Sequence, residues 1–250
     1  LLLAVDNCHR AGLQVYADIV FNHKAGADRT QWVKAAKVSQ EDRTFVLDGE
    51  RWIQAWTEFT FEARKNRYSS HRWSWHHFDG VDWDELASEN AIFKFLGRGK
   101  DWAKLVSREH GNYDYLMFAD LDMNNADVRT ELTRWGEWFV TSTGVDGLRL
   151  DAVKHIQFSF FRDRLSFLRK RTAKELFAVG EYWNPDDVGE LHRYIEHTSG
   201  LLSLFDAPLH RNFFEASRSG GQYDMRRILD GTLMRVPLQR RFAERVGARG

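Results

Sequence analysis

The 250-residue chain has one cysteine, Cys8, which excludes an internal disulfide and any cysteine-based zinc site. No apolar run approaches the ~18 residues that a membrane-spanning helix requires, so no such helix is expected. An excess of either charge is missing as well. The 36 basic and 36 acidic residues cancel, leaving no electrostatic reason to expect nucleic acid or an anionic membrane as partner and favouring a neutral one. The opening residues, LLLAVDNCHRAG, carry no initiator Met and no signal-like pattern. Any targeting segment is expected outside this stretch, and the compartment, secreted or cytoplasmic, stays open.

What the chain does have is the composition of a globular protein, 43% hydrophobic and 29% charged. Its length can bury a sizeable core, as one large domain with an excursion or as two domains. Ten Trp, 18 Phe and 7 Tyr are a heavy aromatic load; most belongs to the core, but flat apolar rings also suit the faces of sugars.

The patterning is regular at both ends and irregular between them. LLLAVDNCHRAG reads as a helix ending at Gly12, and QVYADIVFNH as a buried strand. From Lys24 to about Asn125 the sequence is aromatic, polar and rich in turn signals, an irregular excursion with short antiparallel strands. Helices are then expected over DVRTELTRWGEWFVTST, capped by Asn124 or Asn125, over SFFRDRLSFLRKRT, over PDDVGELHRYIEHT with Pro185 near its first turn, and over HRNFFEASR. They alternate with strands VDGLRLDAV, ELFAVGEYW and LLSLFDAPL, which means βαβ units and a parallel sheet. Asn22, His23, Asp151, Glu181 and Asp206 fall at strand C-terminal ends, the rim where a parallel α/β barrel places catalytic groups.

Residues two apart on a strand share a face, so Arg149 and Asp151 point together, opposite Leu148 and Leu150. Taken alone, the pair reads equally well as a structural ion pair. Glu181, however, ends the next strand at the corresponding level. Two carboxylates on neighbouring strand ends are what glycoside hydrolysis needs: one to attack the anomeric carbon, one to protonate the leaving oxygen. The acid needs burial or a nearby negative charge to keep its proton, and the nucleophile needs a cation such as Arg149 to stay ionised. Separately, DYLMFADLDMNN gathers Asp114, Asp120, Asp122 and Asn124 as hard oxygen ligands for calcium would be gathered, although Asp and Asn also favour turns.

Taken in order, these segments resemble the α-amylases of the large (β/α)8-barrel glycoside hydrolase family, of the calcium-dependent liquefying type and its bacterial cytoplasmic relatives. Three of that family's four signature segments have counterparts: DIVFNH (18–23), GLRLDAVKH (147–155) and GEYW (180–183). HFDGVDWDE (77–85), GNYDYLMFADLD (111–122) and LFDAPLH (204–210) extend the likeness over residues 1 to about 238.

The resemblance implies an α/β fold: a partial (β/α)8 TIM barrel with an inserted, irregular, β-rich domain B. About four of the eight parallel strands are expected, near 14–21, 146–151, 176–181 and 202–206. Residues 1–23 and 126–238 would form the barrel portion, 24–125 domain B, and 239–250 a divergent tail. It also implies retaining endo-hydrolysis of α-1,4-glucosidic bonds in starch- or glycogen-type glucans. Asp151 would be the nucleophile, forming a covalent β-glycosyl intermediate, and Glu181 the general acid/base. Arg149 would hold Asp151 ionised, Asp18 would lie beneath the site as a hydrogen-bonding partner, and His23 would contact the sugar at the scissile position. Without the family, His23 reads as a satisfied half-buried histidine. Lys154 and His155 would line the leaving-group side, with Tyr182 and Trp183 as sugar-contacting aromatics.

By the same resemblance, Asn22, Asp114, Asp120 and the His155 carbonyl would bind a structural calcium pinning domain B to the barrel. Asp79, Asp101 and Asp122 would add to a neighbouring multi-metal cluster that includes sodium. Two departures touch that cluster: Asn124 stands where the family often has a carboxylate, and the stretch 94–114 carries extra length. A third departure is the fourth signature, an apolar strand ending in Asn-His-Asp, expected after GTLMRVPLQ, where the chain reads RRFAERVGARG. The first two barrel strands also lack counterparts. The chain is therefore expected to be truncated at both ends, with exposed sheet edges and apolar helix faces, and its intact parent to be a monomer acting on an α-glucan polysaccharide or oligosaccharide. Two other readings accompany this one: an inactive piece that at most binds calcium or glucan, or a maltooligosaccharide-forming or transglycosylating relative.

Overall fold

A computed structural model describes residues 1–235. The last residues assigned above to the barrel portion, 236–238, and the 239–250 tail lie outside the described residues. Helix α1 (Leu2–Arg10) places His9 and Arg10 in its last turn, where cations suit the helix dipole, and Gly12, at φ 75°, turns the chain into strand β1 (Tyr16–Ile19). Asp146 fastens this unit, accepting from the Val15 amide at 2.8 Å and facing His9 at 2.9 Å.

Between β1 and the next helix the chain builds a separate antiparallel sheet. Its strands are β2 (His23–Lys24), β3 (Arg29–Val38), β4 (Arg51–Glu58), β5 (Phe78–Asp84), β6 (Glu89–Phe95) and β7 (Ala119–Leu121), in the order β2-β7-β5-β6-β3-β4. The excursion is thus more regular than its composition suggests: β3 has ten residues and β4 eight. Ile53, Ala55 and Thr57 alternate inward along β4 while Trp52 and Trp56 stand in solvent. Those exposed indoles conceal the period-2 signal.

After β7 the alternation resumes as expected: α2 (Ala126–Thr143), β8 (Gly147–Leu150), α3 (Phe158–Thr172), β9 (Phe177–Gly180), α4 (Val188–His197), β10 (Ser203–Leu204) and α5 (Ala207–Arg218). Asn125 is the cap of α2, its side chain accepting from the Asp127 amide at 2.9 Å. Val128, Leu132, Gly136 and Val140 make a buried stripe at four-residue spacing, with Leu168 of α3 packed over Gly136. Helix α4 starts after Pro185 rather than at it, because Asp187 caps it by accepting from Glu190 N at 3.0 Å. Strand β10 is shorter than expected for a similar reason. Asp206 caps α5, accepting from Leu209 N at 3.1 Å, so the chain leaves the sheet after two paired residues.

β1, β8, β9 and β10 form one parallel sheet in that order, so the expected four strands are present. Their register aligns Ile19 with Leu150 and Leu150 with Gly180. One end of this sheet is therefore a level rim on which Asp151 and Glu181 follow adjacent strands. Beneath it, Leu148, Leu150 and Ala178 join Phe21, Phe160 and Phe161 in the core.

Candidate active site

β8 turns Leu148 and Leu150 into the core and leaves Arg149 facing the other way, half-buried, with β1 and β9 on either side. The guanidinium gathers one carboxylate from each of three strand ends. Nη1 donates to Asp18 Oδ1 at 2.8 Å and to Asp151 Oδ1 at 2.6 Å, and Nη2 donates to Glu181 Oε2. Backbone bonds hold the rim level: Asp151 N donates to the Ile19 carbonyl at 2.9 Å and Glu181 N to the Leu150 carbonyl at 2.8 Å. Three carboxyls crowded on one cation raise the question of where a proton resides. Partial burial pushes the Glu181 carboxyl above its ordinary range and the hydrogen bond with Asp151 adds to the shift, while the Arg149 guanidinium pulls the other way.

A cleft of about 210 Å³ opens over Asp151 and Glu181, lined also by Tyr113, Leu116, Ala152, Lys154, His155 and Trp183. A larger groove of about 1090 Å³ adjoins it across Tyr113, Lys154 and Trp183 but contains neither carboxylate. The His23 ring lies 5.6 Å from Phe118 with Nδ1 buried and unpartnered; burial lowers its pKa, opposed by Asp151 and Asp82. The Lys154 ammonium is buried and donates to Glu109 Oε2 and to the Trp183 carbonyl, each at 2.7 Å. His155 sits 2.6 Å from the Tyr113 carbonyl through Nδ1, and burial pushes its pKa down to about 3, so the ring is neutral.

The two aromatics expected against the sugar differ in placement. Trp183 is 46% exposed at the mouth of the cleft, edge-on to His210. Tyr182 is 1% exposed: its ring packs against Tyr194 and its hydroxyl donates to Glu190 Oε1 at 2.6 Å. Tyr182 is therefore a support for the strand end and not an exposed ring, because its hydroxyl finds an inward partner. Glu109, Tyr113 and Glu190 escaped the sequence reading. They reach the site through tertiary contacts and no spacing signal marks them.

A second cluster lies where the antiparallel sheet meets the end of β1. Asp79, Asp114 and Asp120, all buried, each bring a carboxylate oxygen within 4.8 Å of the others. Both Asp79 oxygens and Asp120 Oδ2 lack a hydrogen-bond partner. Asp120 Oδ1 accepts from Asn22 Nδ2 at 2.8 Å, and Asp114 Oδ2 from the Ala103 amide at 2.6 Å. Burial, then mutual repulsion, pushes the Asp79 and Asp120 carboxyls far up; burial likewise takes Asp114 to about 7, opposed by the Ala103 amide. Orphaned buried carboxylate oxygens in a tight triad suit a hard, oxygen-loving cation.

The metal assignments regroup accordingly. Asp79, expected in a second cluster, stands with Asp114 and Asp120. Asp101 does not join them: it is exposed and accepts from Lys94 Nζ at 2.5 Å. Asp122 is buried but engaged, with Oδ2 on Lys100 Nζ at 2.8 Å and Oδ1 on the Asn124 and Asn125 amides at 2.9 and 3.2 Å. Asn124 donates its side-chain amide to the Asp101 carbonyl at 3.1 Å. The His155 side chain turns to Tyr113, a contact that does not involve the His155 carbonyl, the group expected on calcium.

Residues 3–184 match the family described as alpha amylase, catalytic domain. An alpha-amylase of Geobacillus stearothermophilus is 56% identical over 234 residues, covering 94% of this chain and 42% of that protein. A glucan 1,4-alpha-maltohexaosidase of a Bacillus species is 48% identical, covering 94% of this chain and 45% of that protein. A cytoplasmic alpha-amylase of Escherichia coli is 40% identical, covering 94% and 48%. The chain thus spans less than half the length of these curated relatives. In fold, it is similar to the crystal structure of a cyclomaltodextrin glucanotransferase with a three-domain ABC distribution, at a TM-score of 0.50 and 21% identity over 91% of this chain and 38% of that one.

Proposed function

This chain belongs to the alpha-amylase family, and from that premise we propose that it carries the nucleophile and acid/base of a retaining endo-hydrolase of α-1,4-glucosidic bonds in starch- or glycogen-type glucans. The observation that carries the reading is the convergence of Asp18, Asp151 and Glu181 on Arg149 at the end of three parallel strands. Asp151 attacks the anomeric carbon while Glu181 gives its proton to the departing glycosidic oxygen. The glycosyl ester on Asp151 is then opened by a water from which Glu181 takes a proton, so the product keeps the α configuration. Arg149 donates to both carboxyls and so holds them side by side, as a nucleophile and acid/base pair needs to be held. Asp18 shares the load on the guanidinium, His23 and the exposed Trp183 receive sugar, and Lys154 and His155 line the leaving-group side.

Residues 24–125 are read as the inserted domain B, and 1–23 with 126 onward as the barrel portion. Calcium would be held by Asp79, Asp114 and Asp120 with help from Asn22, at the junction of these two parts. A bound calcium would neutralise the charge of these buried carboxylates.

The test is reducing-end release from soluble starch by the purified chain, with calcium and with a chelator. Turnover abolished by Asp151→Asn, with product released as the α anomer, is the expected result. Turnover that survives Asp151→Asn sinks the assignment. A folded chain that turns nothing over supports the alternative of a catalytically silent piece that at most binds calcium or glucan. Product length read in the same assay separates a maltooligosaccharide-forming enzyme, the activity named for the 48% identical relative, from a general endo-hydrolase.

A further inference from the structure

Beside the acidic triad, a lysine is held the way a metal ion usually is. Lys100 Nζ donates to the His76 carbonyl at 2.8 Å, to the Phe78 carbonyl at 2.6 Å and to Asp122 Oδ2 at 2.8 Å. These three acceptors match the three N–H bonds of an ammonium. The side chains are 6% exposed for Lys100 and 3% for Asp122, so this is a charge taken out of water and compensated in place. Two main-chain carbonyls and a carboxylate are the oxygen set that hard cations select.

Among the described residues, the carboxylates on either side of the ammonium are already engaged. Asp122 has its other oxygen on the Asn124 and Asn125 amides at the start of α2, and Asp101, next to Lys100 in sequence, faces out to Lys94. Phe78, whose carbonyl holds the ammonium, directly precedes Asp79 on β5, so Lys100 and the triad share one wall. The loop is built to deliver the lysine: Gly97 and Gly99 both have positive φ, and Lys100 N closes the turn on the Gly97 carbonyl at 3.2 Å.

We propose that Lys100 is a built-in cation: its ammonium occupies the place of a second metal ion, so the acidic cluster takes a single divalent ion at Asp79, Asp114 and Asp120. The seam joining β5, the 97–101 loop and the start of α2 is consequently held without metal. The count of one rests on the calcium reading above, whereas the role of Lys100 does not.

Two measurements test this on the full chain. After equilibration with calcium and removal of the excess, elemental analysis should find one calcium per chain; two or more overturns the proposal. Lys100→Met keeps the apolar stem and removes the charge. Its melting temperature in choline chloride should fall by roughly 10 °C, as when a buried pair is broken. Sodium or calcium chloride at the same ionic strength should restore part of that loss, while the unaltered chain is indifferent to exchanging choline for sodium. Restoration by neither salt overturns the proposal. A wild-type chain that binds no calcium, alongside a Lys100→Met chain restored by sodium, sinks the calcium reading and leaves Lys100 in its role. Should Lys100→Met not fold, Asp122→Asn decides the matter. A folded Asp122→Asn chain should still hold one calcium, and one that has lost it overturns the proposal, since Asp122 then serves the metal and not the lysine.

Discussion

Removing divalent ions with a chelator should cost the chain more stability the further the pH rises from neutrality, the opposite of what ordinary carboxylates do. Asp79, Asp114 and Asp120 have folded-state pKa values raised above their unfolded ones, so the folded chain binds more protons than the unfolded chain. The slope of unfolding free energy with pH is then negative, about 1.4 kcal/mol per pH unit for each extra proton held. Below pH 6.5 this is opposed by His155, His23, His71 and His77, whose lowered values make stability rise with pH up to their unfolded value. Above about 8 the buried Lys24, its pKa lowered to about 8, begins to oppose it again.

These opposing groups titrate alike with and without calcium, so the stability difference between the calcium-loaded and the chelated chain isolates the triad, and that difference should widen from pH 6.5 to about 8. Asp114, at about 7, releases its proton inside that window and contributes less than about 1 kcal/mol. Asp79 and Asp120, pushed up by burial and by mutual repulsion, add to that difference in the same direction, so the Tm gap should widen by at least about 2 °C across the window. With calcium the triad is ionised in both states and its share of the slope should vanish. Thermal unfolding in chelator and in calcium at a series of pH values reads this directly. A gap between the calcium and chelator curves that stays constant or narrows as the pH rises would refute the reasoning.

Arg149→Met removes the one group that draws Glu181 downward, so Glu181 should hold its proton to higher pH and the alkaline limb of the starch-hydrolysis profile should move up, with kcat reduced about 10²-fold or more. An unmoved limb speaks against the pairing. Gly147→Ala puts a Cβ 2.7 Å from both the Phe177 carbonyl oxygen and a Tyr16 ring carbon, and should cost about 1–3 kcal/mol. An unchanged unfolding midpoint in urea would contradict that crowding. Asn125→Ala deletes the cap of α2 and a bond to the His76 carbonyl, with an expected loss of about 1 kcal/mol; Asn125→Asp keeps the cap acceptor but not the donor and should lose less, and equal losses in the two variants would show that the cap is not the cause.

Much of the site could be read before any coordinates. Arg149 and Asp151 declare themselves because a strand repeats every two residues and Leu148 and Leu150 occupy the alternate places. Glu181 declares itself by ending the next strand. The stripe of α2 is visible because a helix repeats nearly every four. These are local regularities, and the chain carries them in its order of residues. The long strands β3 and β4 are less visible, since exposed Trp32, Trp52 and Trp56 put aromatic residues where the alternation expects polar ones.

What the order of residues determined by itself is which groups stand at the sheet's rim and what chemistry they can do. Only the tertiary structure decided which distant groups meet. The pairing of β5 with β7 brings Asp79 to Asp120, and Asp114 closes the triad, although nothing in their spacing requires it. Lys100 and Asp101 are neighbours in the chain yet face opposite ways, one into an oxygen cage and one into solvent. Tyr182 and Trp183 divide in the same manner, the first drawn inward by Glu190. Local dihedral preferences act over a few residues and can be read along the sequence. Burial and charge compensation depend on what the rest of the chain places opposite each side chain, and that is settled only when the sheets close on their core.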